Sequence, residues 1–451
     1  MSKRDSFGTG LGAFTATVAS AVGLGNIWKF PFLAGVNGGA AFVITYLISV
    51  ALVGLPILAA EHAIGRRMRL DAVRAYGSAV PGESGWRIIG FGGILAALLI
   101  MAFYTDVAGW VFAYVVKAVA AALGGGSVLG PDVFGSLSGG TLEPLAWQLG
   151  VIILVALIVA GGVKSGIERA TRFTMPVLLV LLIICDIRAL TLPGAFAGVE
   201  FLFKPDFSRL SGTVILSALG LAFFKLSLGM GTMTTYGSYL PDSTRIIPNA
   251  GRVALADTLV SLLAGLAIFP AVFAFGFEPS AGPSLLFISI PAIFSKMPLG
   301  SLFTIIFFAL AALATVGAMI SLMEVPTAWL CERGKISRPK ATAITASAIF
   351  LFGIPATLSL GPMADVKLFG MVVFDLFDYV QQNLLLPLGG LAIALVAGWR
   401  LKKSDFLGEL GKGYDEAQVP GYARLLFIFV KFVAPALIVL VFLSGFGLFT
   451  A

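Results

Sequence analysis

The residues best suited to bind a ligand or do chemistry lie in two interruptions of long apolar stretches. The first reads SAVGLGN over residues 20–26, and the second reads KLSLGMG over residues 225–231. Glycine weakens a helix, and backbone groups freed inside a membrane need polar partners or a cavity. Two such breaks, beside Asn26 and Lys225, predict a binding site near the middle of the bilayer. Glycines that only let neighbouring helices pack closely are the alternative.

Lys225 needs a partner. A lysine in the middle of a bilayer costs several kcal/mol unless it is paired or hydrated. Asp257, in the next apolar stretch, is the obvious counter-ion. The sequence therefore predicts a buried ion pair between these two residues, next to the second break.

The elements that must position these residues are membrane helices. Of 451 residues, 58% are hydrophobic and 12% charged, and the mean hydropathy is +0.99. Soluble domains carry about twice that charged fraction. Eleven apolar segments follow one another, at residues 11–35, 40–62, 87–123, 147–163, 168–191, 211–240, 247–277, 299–331, 341–358, 366–399 and 423–449. We expect an all-α polytopic membrane protein with eleven transmembrane helices.

Basic residues set the expected orientation. Lys and Arg gather in alternate loops, beginning with Lys3 and Arg4, whereas the stretch 124–148 on the opposite side has no basic residue. By the positive-inside rule the N-terminus is cytoplasmic and, with an odd number of helices, the C-terminus is extracellular. The absence of an Asn-x-Ser/Thr sequon favours the plasma membrane of a prokaryote.

Other function classes find little support. The single histidine, His62, stands beside Glu61 at a segment end and is expected at the membrane interface rather than as a catalytic base. There is no HExxH motif and no cluster of His and Cys ligands. The net charge of +7 is distributed over loops rather than gathered on one face. We therefore expect no enzyme activity, cofactor, metal or nucleic-acid partner.

Five segments carry a family resemblance over nearly the whole chain. They read SAVGLGNIWKFPF, NGGAAF, KSGIERATRFTMP, FFKLSLGMGTMTTYGSYL and DTLVSLLAGLAIFP. They resemble the neurotransmitter:sodium symporter family, whose bacterial members include LeuT-like amino-acid transporters. The resemblance implies the LeuT-type fold, an inverted five-helix repeat with broken helices 1 and 6. It divides the single domain 1–451 into repeats at 11–199 and 211–399 and an extra helix at 423–449.

The resemblance also assigns a substrate site. The backbone N–H groups of Leu24 and Gly25 would bind the substrate carboxylate, and the Tyr104 hydroxyl would hold the same group. The remaining substrate-lining positions are Ala21, Phe224, Ser227, Met230, Ala318 and Leu322. This wall has no acid or base facing the side chain, which favours a neutral hydrophobic amino acid.

Gates follow from the same matches. Lys29 stands where the family has an arginine of the outer gate, with Asp375 as its partner, or Asp378 if the alignment shifts. The inner gate would pair Arg4 with Glu332, braced by Tyr239. The alternative for Arg4 is a charge that only orients the chain.

In helix 5, the spacing of a glycine and a proline also resembles the family. Gly166 and Pro176, with nine residues between them, resemble a motif that lets the helix unwind and admit water. A fixed kink is the equal alternative.

The ion sites depart from the family. At the first sodium site Ala21, Asn26 and Asp257 match, but Lys225 replaces a hydroxyl. At the second site Gly317 and Ala318 replace two hydroxyls, so sodium would lack some of the about five or six oxygens a hard cation takes. An ammonium bonded to Asp257 and Asn26 would then stand in for the first sodium ion and neutralise the substrate carboxylate. An ion pair that only locks two helices together is the alternative.

Chloride is also not expected. Tyr46 and Ser261 match two chloride ligands, but Leu221 replaces a third. The leading interpretation is thus a sodium-independent amino-acid transporter, with transport either uncoupled or coupled to protons. Ordinary sodium:amino-acid symport is the alternative, and a transporter-like amino-acid receptor is an alternative of another class.

Overall fold

The computed structural model describes residues 5–124, 130–277, 285–414 and 421–445. Nine helices in this part of the chain are long and apolar enough to cross a membrane, or ten if one bent pair counts as a single span. We number the membrane helices α1 to α11 after the eleven apolar segments of the sequence. Helix α1 has two halves, Gly10–Ala21 and Gly25–Val36. The next helices are α2 (Ala40–Met68), α3 (Ser84–Leu123), α4 (Leu142–Ala160), α5 (Val163–Leu190), α7 (Ile246–Ala274), α8 (Gly300–Gly334), α9 (Arg338–Leu358), α10 (Val373–Arg400) and α11 (Gly421–Gly445).

Helix α6, like α1, is interrupted. It consists of Gly212–Lys225, with 14 residues, and Thr232–Gly237, with 6. Neither half reaches the length of a membrane span, which is why the count among the described residues falls short of eleven. The predicted break is confirmed, at residues 226–231.

Short elements connect the spans. The helical connections are Ala72–Ala79, Pro131–Ser138, Phe196–Phe203, Phe207–Arg209, Leu285–Ser295 and Lys403–Gly411. Two two-residue strands, β1 (Lys367–Leu368) and β2 (Met371–Val372), form an antiparallel hairpin. This hairpin takes up the start of the tenth apolar segment, so α10 begins at Val373 rather than at the predicted residue 366.

Helices α3 and α8 form the centre of the molecule and pack along each other. Their most apolar stretches are 72% and 78% buried, compared with 33% for α4 and α5 and 28% for α11. A helix that is apolar on all sides yet little buried must meet another apolar medium. Helices α4, α5 and α11 therefore form much of the lipid-facing surface, around a core that holds both broken helices.

Candidate substrate and ion site

Both breaks lie against each other in the core. Helix α1 stops at Ala21 and resumes at Gly25 with a bend of 49°. In the break of α6, Ser227, Gly229 and Gly231 have φ angles of 54°, 78° and 77°. These left-handed angles suit glycine but strain serine, and the Ser227 hydroxyl donates to the Ser20 carbonyl oxygen at 2.7 Å. The two breaks are thus joined directly by a hydrogen bond.

Glu61 holds the break of α6 from the other side. Its carboxylate accepts hydrogen bonds from Gly229 N at 2.9 Å, Thr234 N at 3.2 Å and Thr234 Oγ1 at 2.9 Å, and the residue is fully buried. Sequence reasoning missed this role, although an acid inside an apolar segment is itself a signal of function. His62 beside it is also fully buried within the protein, and its expected depth at the membrane interface stays a prediction.

Replacing Glu61 should loosen the break. We expect Glu61→Ala to lower the free energy of unfolding by about 3 kcal/mol or more, because several buried donors lose their acceptor. Glu61→Gln keeps one acceptor oxygen and should lose less. Thermal unfolding of the purified protein in detergent measures both. Equal stability of Glu61→Ala and the unsubstituted protein would contradict this role.

A small cavity of about 30 Å³ lies between the two breaks. Of the predicted substrate residues, the structure brings together around it Ala21, Gly25, Tyr104, Phe224, Ser227, Met230, Ala318 and Leu322. Lys225, predicted as the ion surrogate, also lines it, as do Ser20, Gly23 and Ile100, which were not predicted. Its walls are largely apolar, and its polar groups are the backbone of the breaks, a few hydroxyls and Lys225.

Tyr104 meets the break of α1. Leu24 N donates to the Tyr104 hydroxyl at 2.9 Å, so the two groups predicted to hold a carboxylate already contact each other. A Cβ atom at Gly23 would lie 2.8 Å from that hydroxyl oxygen, which explains glycine at this position. The N-terminus of a helix half also offers unpaired N–H donors and a positive dipole end to an anion.

A second cavity of about 230 Å³ adjoins the first. Gly25, Tyr104 and Phe224 line both cavities, and Leu24 and Lys29 line only the larger one. Lys29 Nζ lies 3.4 Å from Asp378 Oδ1, and it also bonds to Gln382. Asp375, the first choice from the sequence, lines the cavity but is not the partner of Lys29, because Asp378 lies one helical turn closer to it along α10.

On the opposite side, the predicted inner pair is placed only in part. Arg4 lies outside the described residues. Glu332 pairs with Arg74. The Tyr239 hydroxyl donates at 2.6 Å to Glu324, which in turn pairs with Arg338.

Helix α5 begins with a distorted turn. Residues Val163–Glu168 form a π-helical turn, and the helix continues through Pro176. A Cβ atom at Gly166 would lie 1.9 Å from the Ile158 carbonyl oxygen, so this glycine is required by close packing in the structure. The distorted start fits both the predicted unwinding and a fixed kink.

Lys225 lies in a closed polar network. Its Nζ atom is 3.0 Å from Asp257 Oδ2 and 2.9 Å from the Tyr46 hydroxyl, and it also bonds to Ser261. Neither Lys225 nor Asp257 has any exposed side-chain surface. The predicted pairing of these two residues is what the structure shows.

Asn26 completes the network on the other carboxylate oxygen. Its Nδ2 atom donates to Asp257 Oδ1 at 2.7 Å, to the Asp257 carbonyl at 2.9 Å and to Ser261 Oγ at 3.0 Å. Its Oδ1 atom accepts from Gly23 N at 3.1 Å. The expected bond between the Lys225 ammonium and Asn26 is absent from the described contacts, because both groups donate to Asp257 instead. Lys225 lines the small cavity, and its ammonium bonds to Asp257, Tyr46 and Ser261, none of which lines that cavity.

The place predicted for a second sodium ion contains no side-chain oxygen from Gly317 or Ala318. A Cβ atom at Gly317 would lie 2.7 Å from the Ala19 carbonyl oxygen, so α8 and α1 are in close contact there. The nearby hydroxyls have other partners, since Thr315 donates to the Ala312 carbonyl at 2.7 Å and Ser321 accepts from Ser20 at 2.8 Å.

Comparison with known proteins agrees with this architecture. The crystal structure of MhsT in complex with L-phenylalanine superposes with a TM-score of 0.90 at 41% identity, covering 98% of this chain and 100% of that one. An uncharacterized sodium-dependent transporter of Bacillus subtilis, YhdH, is 40% identical over 439 residues, or 97% of each chain. An uncharacterized sodium-dependent transporter of Haemophilus influenzae is 36% identical over 444 residues, or 96% of each. The family model described as the sodium:neurotransmitter symporter family matches residues 4–127 and 138–450. The chain therefore belongs to the sodium:neurotransmitter symporter family and has the LeuT-type fold of its bacterial members.

Proposed function

We propose that this transporter moves a neutral hydrophobic amino acid by alternating access, without sodium at the first ion site. The small cavity supports the substrate class. Ile100, Phe224, Met230 and Leu322 give it an apolar wall, and the ammonium of Lys225, which also lines it, is already paired with Asp257. The complex of the similar protein MhsT with L-phenylalanine supports the same class.

The substrate carboxylate would lie against the break of α1. It would accept hydrogen bonds from the N–H groups of Leu24 and Gly25 and from the Tyr104 hydroxyl, which now contacts Leu24 N. Because the Lys225 ammonium is already engaged by Asp257, Tyr46 and Ser261, we assign neutralisation of the carboxylate to the helix end rather than to Lys225. This revises the role expected for Lys225 from the sequence.

Tyr104→Phe tests this arrangement. Removing a hydrogen bond to a charged group costs about 1.5–3 kcal/mol, which corresponds to about 10–150-fold weaker substrate binding. Binding of radiolabelled phenylalanine to the purified protein measures the change. The substitution also leaves Leu24 N without its acceptor, so the free energy of unfolding without substrate should fall by about 1–3 kcal/mol. Unchanged affinity of the folded variant would contradict the role of the hydroxyl.

The network around Lys225 is the main support for sodium-independent transport. The ammonium pairs with the Asp257 carboxylate, which a sodium ion at the first site would need as a ligand. It also contacts Tyr46 and Ser261, the residues that the family resemblance assigns to chloride. The fixed charges of Lys225 and Asp257 would then replace a mobile sodium ion and a mobile chloride ion. Their charges cancel within the protein, and a sodium ion placed beside them would lack a free carboxylate.

The second sodium site supports the same conclusion. Without hydroxyls at Gly317 and Ala318, a cation there would depend mainly on backbone carbonyl oxygens, for example those of Ala19 and Val22. We propose that neither sodium site is functional and that the driving force, where one exists, comes from the substrate gradient or from protons.

We further propose the membrane orientation and the two inverted repeats that the sequence predicts. The N-terminus lies in the cytoplasm, and the C-terminus lies outside the plasma membrane of a prokaryote. Residues 11–199 and 211–399 form the two inverted repeats, each with its broken helix first, and residues 423–449 form the extra helix. The cavity with Lys29 and Asp378 then opens toward the outside.

Ordinary sodium-driven symport is the second candidate, because the similar proteins of Bacillus subtilis and Haemophilus influenzae are named as sodium-dependent transporters. Uptake of radiolabelled phenylalanine, leucine and valine into proteoliposomes separates the candidates when sodium is replaced by choline. We expect uptake of at least one substrate to persist in choline, and strict dependence on sodium would reject the proposal. Saturable binding without any uptake would indicate a receptor instead.

A further inference from the structure

A deep groove runs along the outer surface between α4 and α9. Its volume is about 700 Å³. Apolar residues of both helices line it, among them Ile153, Leu157, Ala346 and Phe350. Ile153 and Leu157 are 50% and 70% exposed, so the groove is open on the surface that faces lipid.

The length of the groove matches one leaflet. On α4 its lining runs from Leu149 to Ala160. At about 1.5 Å per residue this distance is about 16 Å, roughly half of the 30 Å hydrocarbon core of a bilayer. A single acyl chain from one leaflet can therefore lie along it, with its headgroup at the end where Ala160 and Pro339 lie.

That end is basic. Lys340 follows the lining residue Pro339 and is exposed. Lys164 follows the end of α4 and is also exposed, with the stem of its side chain lying over Gly8. Neither forms an ion pair with another described residue. Arg338 at the same end is already engaged, because it donates to the Val159 carbonyl at 2.8 Å and pairs with Glu324 and Asp5.

A buried hydroxyl also lines the groove. Thr342 is 1% exposed, and its Oγ1 atom has no hydrogen-bond partner among the described residues. It lies one turn from Pro339, close to the basic end. An ester carbonyl oxygen beside a lipid headgroup is an acceptor at the matching depth.

We propose that the groove binds one anionic phospholipid. Its acyl chain lies between α4 and α9, an ester carbonyl accepts from Thr342, and its phosphate lies between Lys164 and Lys340. The orientation proposed above places this end at the cytoplasmic leaflet, which carries anionic lipid. This site is distinct from the substrate cavity and does not depend on which ion drives transport.

Native mass spectrometry tests the site by measuring how much phosphatidylglycerol the purified full chain retains, with phosphatidylcholine as the neutral probe. Each lysine near an anionic headgroup contributes about fivefold in affinity, so the double variant Lys164→Gln/Lys340→Gln should bind phosphatidylglycerol about thirtyfold more weakly. Ala346→Phe, which fills the groove, should reduce retention of both lipids. Ile183→Phe, on the lipid-facing side of α5, is the matched control and should change neither.

The proposal predicts that phosphatidylglycerol is retained in preference to phosphatidylcholine and that both groove variants lose it. Thermal unfolding of each variant without added lipid checks that it is folded. Equal retention of the two lipids, or equal loss in the Ile183→Phe control, would overturn the site. Retention by the folded Lys164→Gln/Lys340→Gln variant at the level of the unsubstituted protein would overturn it as well.

Discussion

Lys225→Thr is expected to abolish sodium-independent uptake. The substitution leaves the buried Asp257 carboxylate without its cation, and breaking a buried pair in this way costs about 3–5 kcal/mol. The unpaired carboxylate disturbs the site between the two breaks, so we expect uptake in choline to fall to the level of protein-free vesicles. Proteoliposome uptake of the preferred amino acid measures the change.

Sodium should then begin to matter for this variant. Threonine returns a hydroxyl next to Asn26 and Asp257, and the freed carboxylate attracts a cation. We expect uptake by Lys225→Thr to recover in part when sodium replaces choline. Lys296→Thr, which removes an exposed lysine, is the control and should behave like the unsubstituted protein. Sodium-indifferent uptake at the original rate would refute the role of Lys225.

Asp257→Ala is expected to give the largest loss of stability. Lys225, Tyr46 and Asn26 all donate to its carboxylate, and each would keep a buried donor without this acceptor. An unpaired buried ammonium alone costs about 3–5 kcal/mol. We expect the free energy of unfolding to fall by at least this amount, as followed by thermal or chemical unfolding in detergent.

A double variant separates charge from packing. Lys225→Met/Asp257→Asn removes both charges and keeps similar volumes, so it should recover much of the stability lost in either single variant. It should not recover transport, because the fixed cation is gone. If Asp257→Ala is as stable as the unsubstituted protein, the Lys225–Asp257 pair does not stabilise the fold as expected here.

The sequence predicted the elements of the site well because each depends on local pattern. Gly-x-Gly in two apolar segments located both helix breaks, and the cost of a buried lysine required the partner Asp257. The hydrophobic runs located the span ends to within six residues, except where the hairpin at 367–372 replaces the start of the tenth segment.

The details that failed depend on side-chain direction in three dimensions. Spacing alone did not show that the Lys225 ammonium turns to Tyr46 and Ser261 and leaves Asn26 to bond Asp257. Asp375 and Asp378 are both on α10, and only the packing of α1 against it selects Asp378 for Lys29. Glu61 was missed because its role requires the backbone of α6, 168 residues away along the chain.

The central claim is that a fixed ammonium takes the place of the first mobile cation, and the number of sodium ions moved per substrate tests it most directly. Uptake of radioactive sodium and of labelled amino acid can be followed in the same proteoliposomes, with protein-free vesicles as the background. The account predicts amino-acid uptake with no sodium entry above that background. Sodium entry that rises in fixed proportion to amino-acid uptake would contradict it.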